Sequence, residues 1–135
     1  MKRFFAFAFI CMMIFGYFVL PASANAPYHI GICTETVSQA EDDLRGAERA
    51  IREYGDVAHG GMIQHITYPD NFMQEMETVI SQIVGLADDP LMKAIIVNNA
   101  IPGTTEAFRR IKEKRPDILC IAGEAHEDPG VIGSA

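Results

Sequence analysis

Four short apolar runs, separated by stretches with helical spacing, constrain what this chain can fold into. The runs are Tyr28 to Thr34, Met62 to Thr67, Lys93 to Asn98 and Ile118 to Ala122. After the first, Ser38-Gln39-Ala40-Glu41 matches a capping box, in which Ser and Glu satisfy each other's free amides. Leu44, Ala47, Ile51 and Tyr54 then share one helical face, and Gly55 is a natural stop. Asp70 or Asn71 is expected to cap a second helix with Phe72, Met76, Val79, Ile80 and Ile83 inward, followed by a polar turn from Gly85 to Pro90. Pro102 and Gly103 break the chain, and Thr104 or Thr105 is expected to cap a third helix. Ala107, Phe108 and Ile111 form its inward face, and Pro116 ends it. Strands this apolar, with little alternation, are expected to be covered on both faces. Strands alternating with such helices form right-handed βαβ units. The fold class is therefore α/β: an open parallel sheet, doubly wound, Rossmann-like in its βαβαβαβ order.

The first 24 residues carry a different message. Lys2 and Arg3 precede an uncharged run from Phe4 to Leu20, and Ala22-Ser23-Ala24 supplies a small-residue cleavage pattern. That is the anatomy of a secretory signal peptide, with cleavage expected after Ala24. Cys11 lies inside the apolar run, with more apolar residues after it, and is a poor lipoprotein cysteine. The chain thus divides into a signal peptide, 1–24, and one α/β lobe, 25–135. We expect it to be exported, to the periplasm or another extracytoplasmic space. An uncleaved leader would be the lobe's only hold on a membrane.

Loss of Lys2 and Arg3 takes the formal net charge from −7 to −9 on a body of 111 residues. Such an acidic body argues against nucleic acid as a partner, since that needs a basic footprint. Cys33 and Cys120 remain, each inside a strand-like run. If a third strand separates them they lie about 9–10 Å apart, too far for a disulfide. Two buried free thiols are expected.

In an open parallel sheet, ligands bind beyond the carboxyl ends of the strands. Four loops meet there: Thr34 to Gln39, Thr67 to Phe72, Asn98 to Thr104, and Gly123 to Asp128. Their hydroxyls, amides and carboxylates have the composition of a cleft for a polar small molecule. The candidate ligand-binding residues are Thr34, Ser38, Gln39, Tyr68, Asn98, Asn99, Thr104, Glu124 and His126. Ser38 and Thr104 also have local work as helix caps. Glu124, His126 and Glu127 are reasonable metal ligands, but no second pair has metal spacing, and no metal or cofactor is expected. The sequence contains no GxGxxG after the first strand, no GxxxxGK[ST] and no GxSxG.

The order of elements, starting just after a leader, resembles the N-terminal lobe of type 1 periplasmic binding proteins. More specifically, Tyr28 to Thr34 with Ser38 to Glu48 resembles the bacterial family called domain of unknown function 3798. So do Pro102 to Leu119, Ile121 to Glu124, and His126 to Pro129. The resemblance implies a two-lobed, binding-protein-like fold. The sequence departs from it in length, lacking a second lobe and the rest of the first sheet, so a truncated lobe is expected. The function expected is that of an exported solute-binding lobe, serving as the substrate-binding component of an ABC-type importer with a membrane permease as partner. The alternatives are an extracytoplasmic α/β enzyme using Glu124, His126 or Glu127 as acid or base, and a non-functional gene fragment.

Overall fold

A computed structural model describes residues 25–125. The expected leader and the residues from His126 onward, Glu127 included, lie outside the described residues. The elements run β1 (His29–Thr34), α1 (Glu41–Tyr54), a 3-10 turn (Val57–His59), β2 (Ile63–Thr67), α2 (Met76–Leu86), β3 (Met92–Val97), α3 (Thr104–Lys114) and β4 (Leu119–Ala122). The strands form one sheet in the order β2-β1-β3-β4, and every pairing is parallel. The α/β, doubly wound reading therefore holds.

Helices lie on both faces of the sheet. On one face, Cys33, Ile95 and Val97 pack against Val79, Ile80 and Ile83 of α2 and Ala107, Phe108 and Ile111 of α3. These residues are nearly inaccessible and form the core. On the other face α1 lies over β1 and β2, with its own Ala47 and Ile63 of β2 buried. Side chains alternate across a strand, so Ile32, Ile96 and Ile121, joined in register, belong to this second face.

The helix starts differ from expectation. Ala40, not Ser38, occupies the N-cap of α1, and no side chain caps it. The acidic first turn, Glu41, Asp42 and Asp43, meets the positive end of the helix dipole instead. α2 begins only at Met76, because Gln74 and Glu75 first turn back onto the Asn71 carbonyl at 2.9 and 3.2 Å. Neither Asp70 nor Asn71 caps it, and Met76 is exposed rather than inward. At α3 the cap position falls on Gly103, whose φ of 98° suits glycine. Thr104 is the first helical residue, and its Oγ1 donates to the Ile101 carbonyl at 2.7 Å.

Two further expectations fail at the periphery. Coverage on both faces is true of β1 but not of β4, where Leu119 and Ile121 are 55% and 40% exposed. Tyr54, expected inward, is exposed at the last turn of α1. Gly55 does stop α1, its amide reaching the Ile51 carbonyl at 2.8 Å. The cysteines lie on β1 and β4 with β3 between them, and both are free. Cys33 is fully buried, and burial pushes its thiol up to about 12. Cys120 is only half-buried, because β4 is an edge strand.

The edge formed by the amino ends of the strands is closed by two polar clusters. The Arg115 guanidinium donates to the carbonyls of Ala87, Asp89 and Met92, each at 3.2 Å, and to Asp117. The His29 ring meets Asp89 at 2.5 Å. That edge is occupied by its own contacts, and the opposite rim remains for chemistry.

Candidate functional site

β1 is central, and its two sheet neighbours are reached in opposite directions, so the topological switch point lies between β1 and β3. The loops after these strands separate there and leave a crevice at the carboxyl ends. β1 and β3 are joined at the rim by the Asn98 amide, which donates to the Cys33 carbonyl at 3.0 Å. Three groups of side chains occupy the rim.

The first lines a cleft of about 230 Å³ on the α1 face. Thr34 and Asn98 stand at its head, Asp42 and Asp43 come from the first turn of α1, and Ile32 and Ile96 form the floor. Thr34 is fully buried, and its Oγ1 donates to the Glu35 carbonyl at 3.0 Å. Its single proton is then committed, so the contact with His65 Nε2 at 2.9 Å is one in which the ring donates. Burial holds the His65 imidazolium below its usual range, outweighing the Glu48 and Asp56 carboxylates. A neutral His65 with its proton on Nε2 fits both facts.

The second group centres on a carboxylate that sequence reasoning passed over. Glu35 follows β1 directly and is only 7% exposed. Asn99 Nδ2 donates to its Oε1 at 2.9 Å. The Tyr68 hydroxyl lies beside the same carboxylate and 3.5 Å from the Asn99 carbonyl. Burial first, and the Glu35 carboxylate second, hold the Tyr68 phenol well above its usual range. Tyr68 remains a neutral donor. The Phe72 ring meets it edge-on, with centroids 5.6 Å apart. Asn99 Oδ1 is buried without a hydrogen-bond partner among the described residues. Strand alternation was the available signal: Gly31, Cys33 and Glu35 fall on one side, which places the carboxylate inward.

The third group ties the first rim loop to the second. Asp70 accepts hydrogen bonds from Thr36 and Ser38, the latter at 2.8 Å, while Gln39 Nε2 donates to the Asp70 carbonyl at 3.3 Å. Thr36 first and Ser38 second hold the Asp70 carboxyl below its usual range. Ser38 and Gln39 therefore brace the loops rather than lie open. A lone loop sequence carries no sign of this, because the partner lies 32 positions away.

The proposed residues thus separate. Thr34 and Asn98 meet in the cleft, and Tyr68 and Asn99 meet at Glu35. Ser38 and Gln39 meet at Asp70. Thr104 is fully buried and bonded to its own chain, which removes it from the rim surface. Glu124 stands exposed after β4 with φ of 37°, an uncommon conformation for a residue other than glycine. His126 lies outside the described residues. Among the described residues, no three His, Cys, Asp or Glu side chains are grouped to hold a metal. Within the described part of the rim loops there is neither Lys nor Arg. Among the described residues, no helix is long and apolar enough to cross a membrane.

An "Uncharacterized protein" of Treponema pallidum (strain Nichols) is 44% identical over 107 residues, covering 78% of this chain and 48% of that protein. A second "Uncharacterized protein" of the same strain is 51% identical over 45 residues, or 33% of this chain and 21% of that protein. A crystal structure of a proposed transcriptional regulator from Clostridium difficile 630 superposes with a TM-score of 0.67 at 26% identity, covering 79% of this chain and 32% of that one. The chain spans about half the length of the first relative. Residues 28–135 match the family described as "Protein of unknown function (DUF3798)", and the chain belongs to that family.

Proposed function

We propose that this chain is one ligand-contacting lobe of an exported solute-binding protein, with half of a polar solute held at the carboxyl rim of the sheet. The observation that carries the reading is the switch-point crevice. Thr34 and Asn98 head a cleft there, beside a buried carboxylate, Glu35, that no Lys or Arg among the described residues pairs with. A buried carboxylate whose partners, Asn99 and Tyr68, are both neutral is costly, and binding sites are where such cost is recovered on ligand binding.

The electrostatics favour a solute rich in hydrogen-bond donors, neutral or cationic. Asp42, Asp43, Glu35 and Asp70 lie on or near the rim, and an anion would meet them without a compensating cation. The basic start and Ala22-Ser23-Ala24 of the leader support export, with Asn25 as the first mature residue. Delivery of the solute to a membrane permease extends the same reading.

Three measurements test it. N-terminal sequencing after cell fractionation should find protein outside the cytoplasm that starts at Asn25, and recovery from the cytoplasm alone, starting at Met1, would remove the export step. Native mass spectrometry of protein purified without denaturation should show a bound small molecule that is lost in Asn98→Ala. A polar panel of amino acids, amines, sugars and nucleosides should contain a solute that raises the melting temperature. If no member shifts it and nothing is retained, the binding reading falls.

A further inference from the structure

Several surface carboxylates of this chain meet a cation, while its buried carboxylate does not. Glu41 and Glu48 meet Arg45, and Asp117 meets Arg115 and Lys93. Glu35, only 7% exposed, meets no Lys, Arg or His among the described residues. Its donors are the Asn99 amide at 2.9 Å and the Tyr68 phenol, both neutral. A carboxylate offers about four acceptor positions, so about two remain for another donor.

A second unfilled acceptor lies beside it. Asn99 Oδ1 is buried and has no hydrogen-bond partner among the described residues. A buried polar atom in that state calls for a physical reason. The amide cannot turn to relieve it, because a flip would aim Oδ1 at the Glu35 carboxylate. One planar amide carries both of its polar atoms, so Oδ1 lies within about 5 Å of Glu35 Oε1. A single nitrogen that donates to two oxygens bridges about that span.

The missing group must bring donors and positive charge. Water brings donors without charge. A primary ammonium brings three donors, no acceptor, and the charge that the partners of Glu35 lack. The field around the rim has the same sign as Glu35. After burial and the Glu35 contacts, the Asp43 carboxylate also raises the Tyr68 phenol, so its influence reaches this spot. Thr36 is partly exposed and Val37 is 51% exposed, which sets the Glu35 carboxylate just beneath the rim surface.

We propose, resting on the solute-binding reading above, that Glu35 and Asn99 Oδ1 form a subsite for a primary ammonium group, so that the solute is a small amine. Asn98, the neighbour of Asn99, heads the cleft and takes the polar remainder of the molecule.

Matched solutes test this on the full chain by titration calorimetry near pH 7, where a primary amine is charged. The pairs are glucosamine with glucose, tyramine with tyrosol, and isobutylamine with isobutanol; the members of each differ only in carrying an amine or a hydroxyl. In the pairs that bind, the amine should be held at least about tenfold more tightly, as charge-assisted hydrogen bonds are the stronger ones. Glu35→Gln keeps the length and an acceptor for Asn99 but removes the charge, and should bring that ratio within about threefold. Asn99→Ala, which removes the unfilled oxygen, should narrow it as well. Circular dichroism checks that each variant folds, and the wild-type ratio is informative without them. Equal binding of both members of a pair overturns the subsite, which would then hold water only, and leaves the binding reading in place. Survival of the ratio in Glu35→Gln does the same. A lysine tripeptide blocked at both ends is titrated too; tighter binding than every free amine overturns the small-amine class in favour of a polypeptide. If no member of any pair binds and the wider polar panel is also silent, the binding reading itself falls and takes the subsite with it.

Discussion

Replacing Gly123 by alanine should damage the rim through a single methyl group. A Cβ at this position would stand 2.3 Å from the Asn98 carbonyl oxygen, where real contacts stay above 3.0 Å. The loops after β3 and β4 must therefore separate by at least about 0.7 Å, the difference between those distances. Two backbone hydrogen bonds resist the movement. The Gly123 amide reaches the Val97 carbonyl at 2.9 Å, and the Gly123 carbonyl accepts from Ala100 at 2.9 Å. Overpacking costs about 1–3 kcal/mol, and weakening two such bonds adds about 1 kcal/mol. The expected loss is about 2–4 kcal/mol, a large share of the stability of a domain this size. Urea unfolding followed by circular dichroism reads this as a lower midpoint at unchanged slope. Gly85→Ala is the matched control, since its Cβ meets nothing within 4 Å and it lies within α2. It should stabilise by about 0.5–1 kcal/mol. If Gly123→Ala lies within about 0.5 kcal/mol of wild type, the close approach of the two rim loops is wrong.

Other consequences are open to direct measurement. Cys33 should resist alkylation in the native protein and remain unreactive as the pH is raised from 7 to 9, since burial pushes its thiol up to about 12, whereas half-buried Cys120 reacts first. Peptide mass spectrometry after timed alkylation distinguishes them, and equal rates would contradict the burial of β1. Phe108→Ala should cost about 3–5 kcal/mol, because the ring is 4% exposed and packs into the main core. A loss below about 1 kcal/mol by urea unfolding would deny the core assignment. Asp89 has a pH signature. Burial works to raise its carboxyl, but the His29 ring, the Leu91 amide and Arg115 outweigh it and hold it below the usual range. A depressed carboxyl contributes stability above its unfolded value, near 3.8, and loses it as pH falls through the folded value. Asp89→Asn should therefore be about 1 kcal/mol less stable than wild type at pH 7, with the gap closing below about pH 4. A gap that persists unchanged to pH 3 would break this account.

Much of the architecture was legible because burial wrote it into the sequence. Ile95 and Val97, or Ala107, Phe108 and Ile111, can be placed by period alone, since each touches the core. Where side chains serve distant loops, local rules misassigned them. Ser38 has the spacing of a helix cap, yet its hydroxyl goes to Asp70, a better acceptor that only the parallel pairing of β1 with β2 brings near. Asp70 in turn is drawn away from α2, which starts six residues later. Leu119 and Ile121 read as interior residues, and they are interior in character, but no helix among the described residues covers them. Of the candidate site, Thr34, Tyr68, Asn98 and Asn99 were reached from loop position and amide content. Glu35 was missed, although it alternates inward with Cys33, because a lone carboxylate after a strand looks like solvated surface.

The central claim is that the carboxyl rim between β1 and β3 binds a polar solute. Amide chemical-shift mapping tests it most directly, using isotope-labelled protein and the solute that most raises the melting temperature. The account predicts saturable shifts concentrated at Thr34 to Gln39, Tyr68, Asn98 and Asn99, with the opposite edge around His29, Asp89 and Arg115 silent. Shifts centred on that opposite edge, or no saturable shift with any polar solute tested, would contradict it.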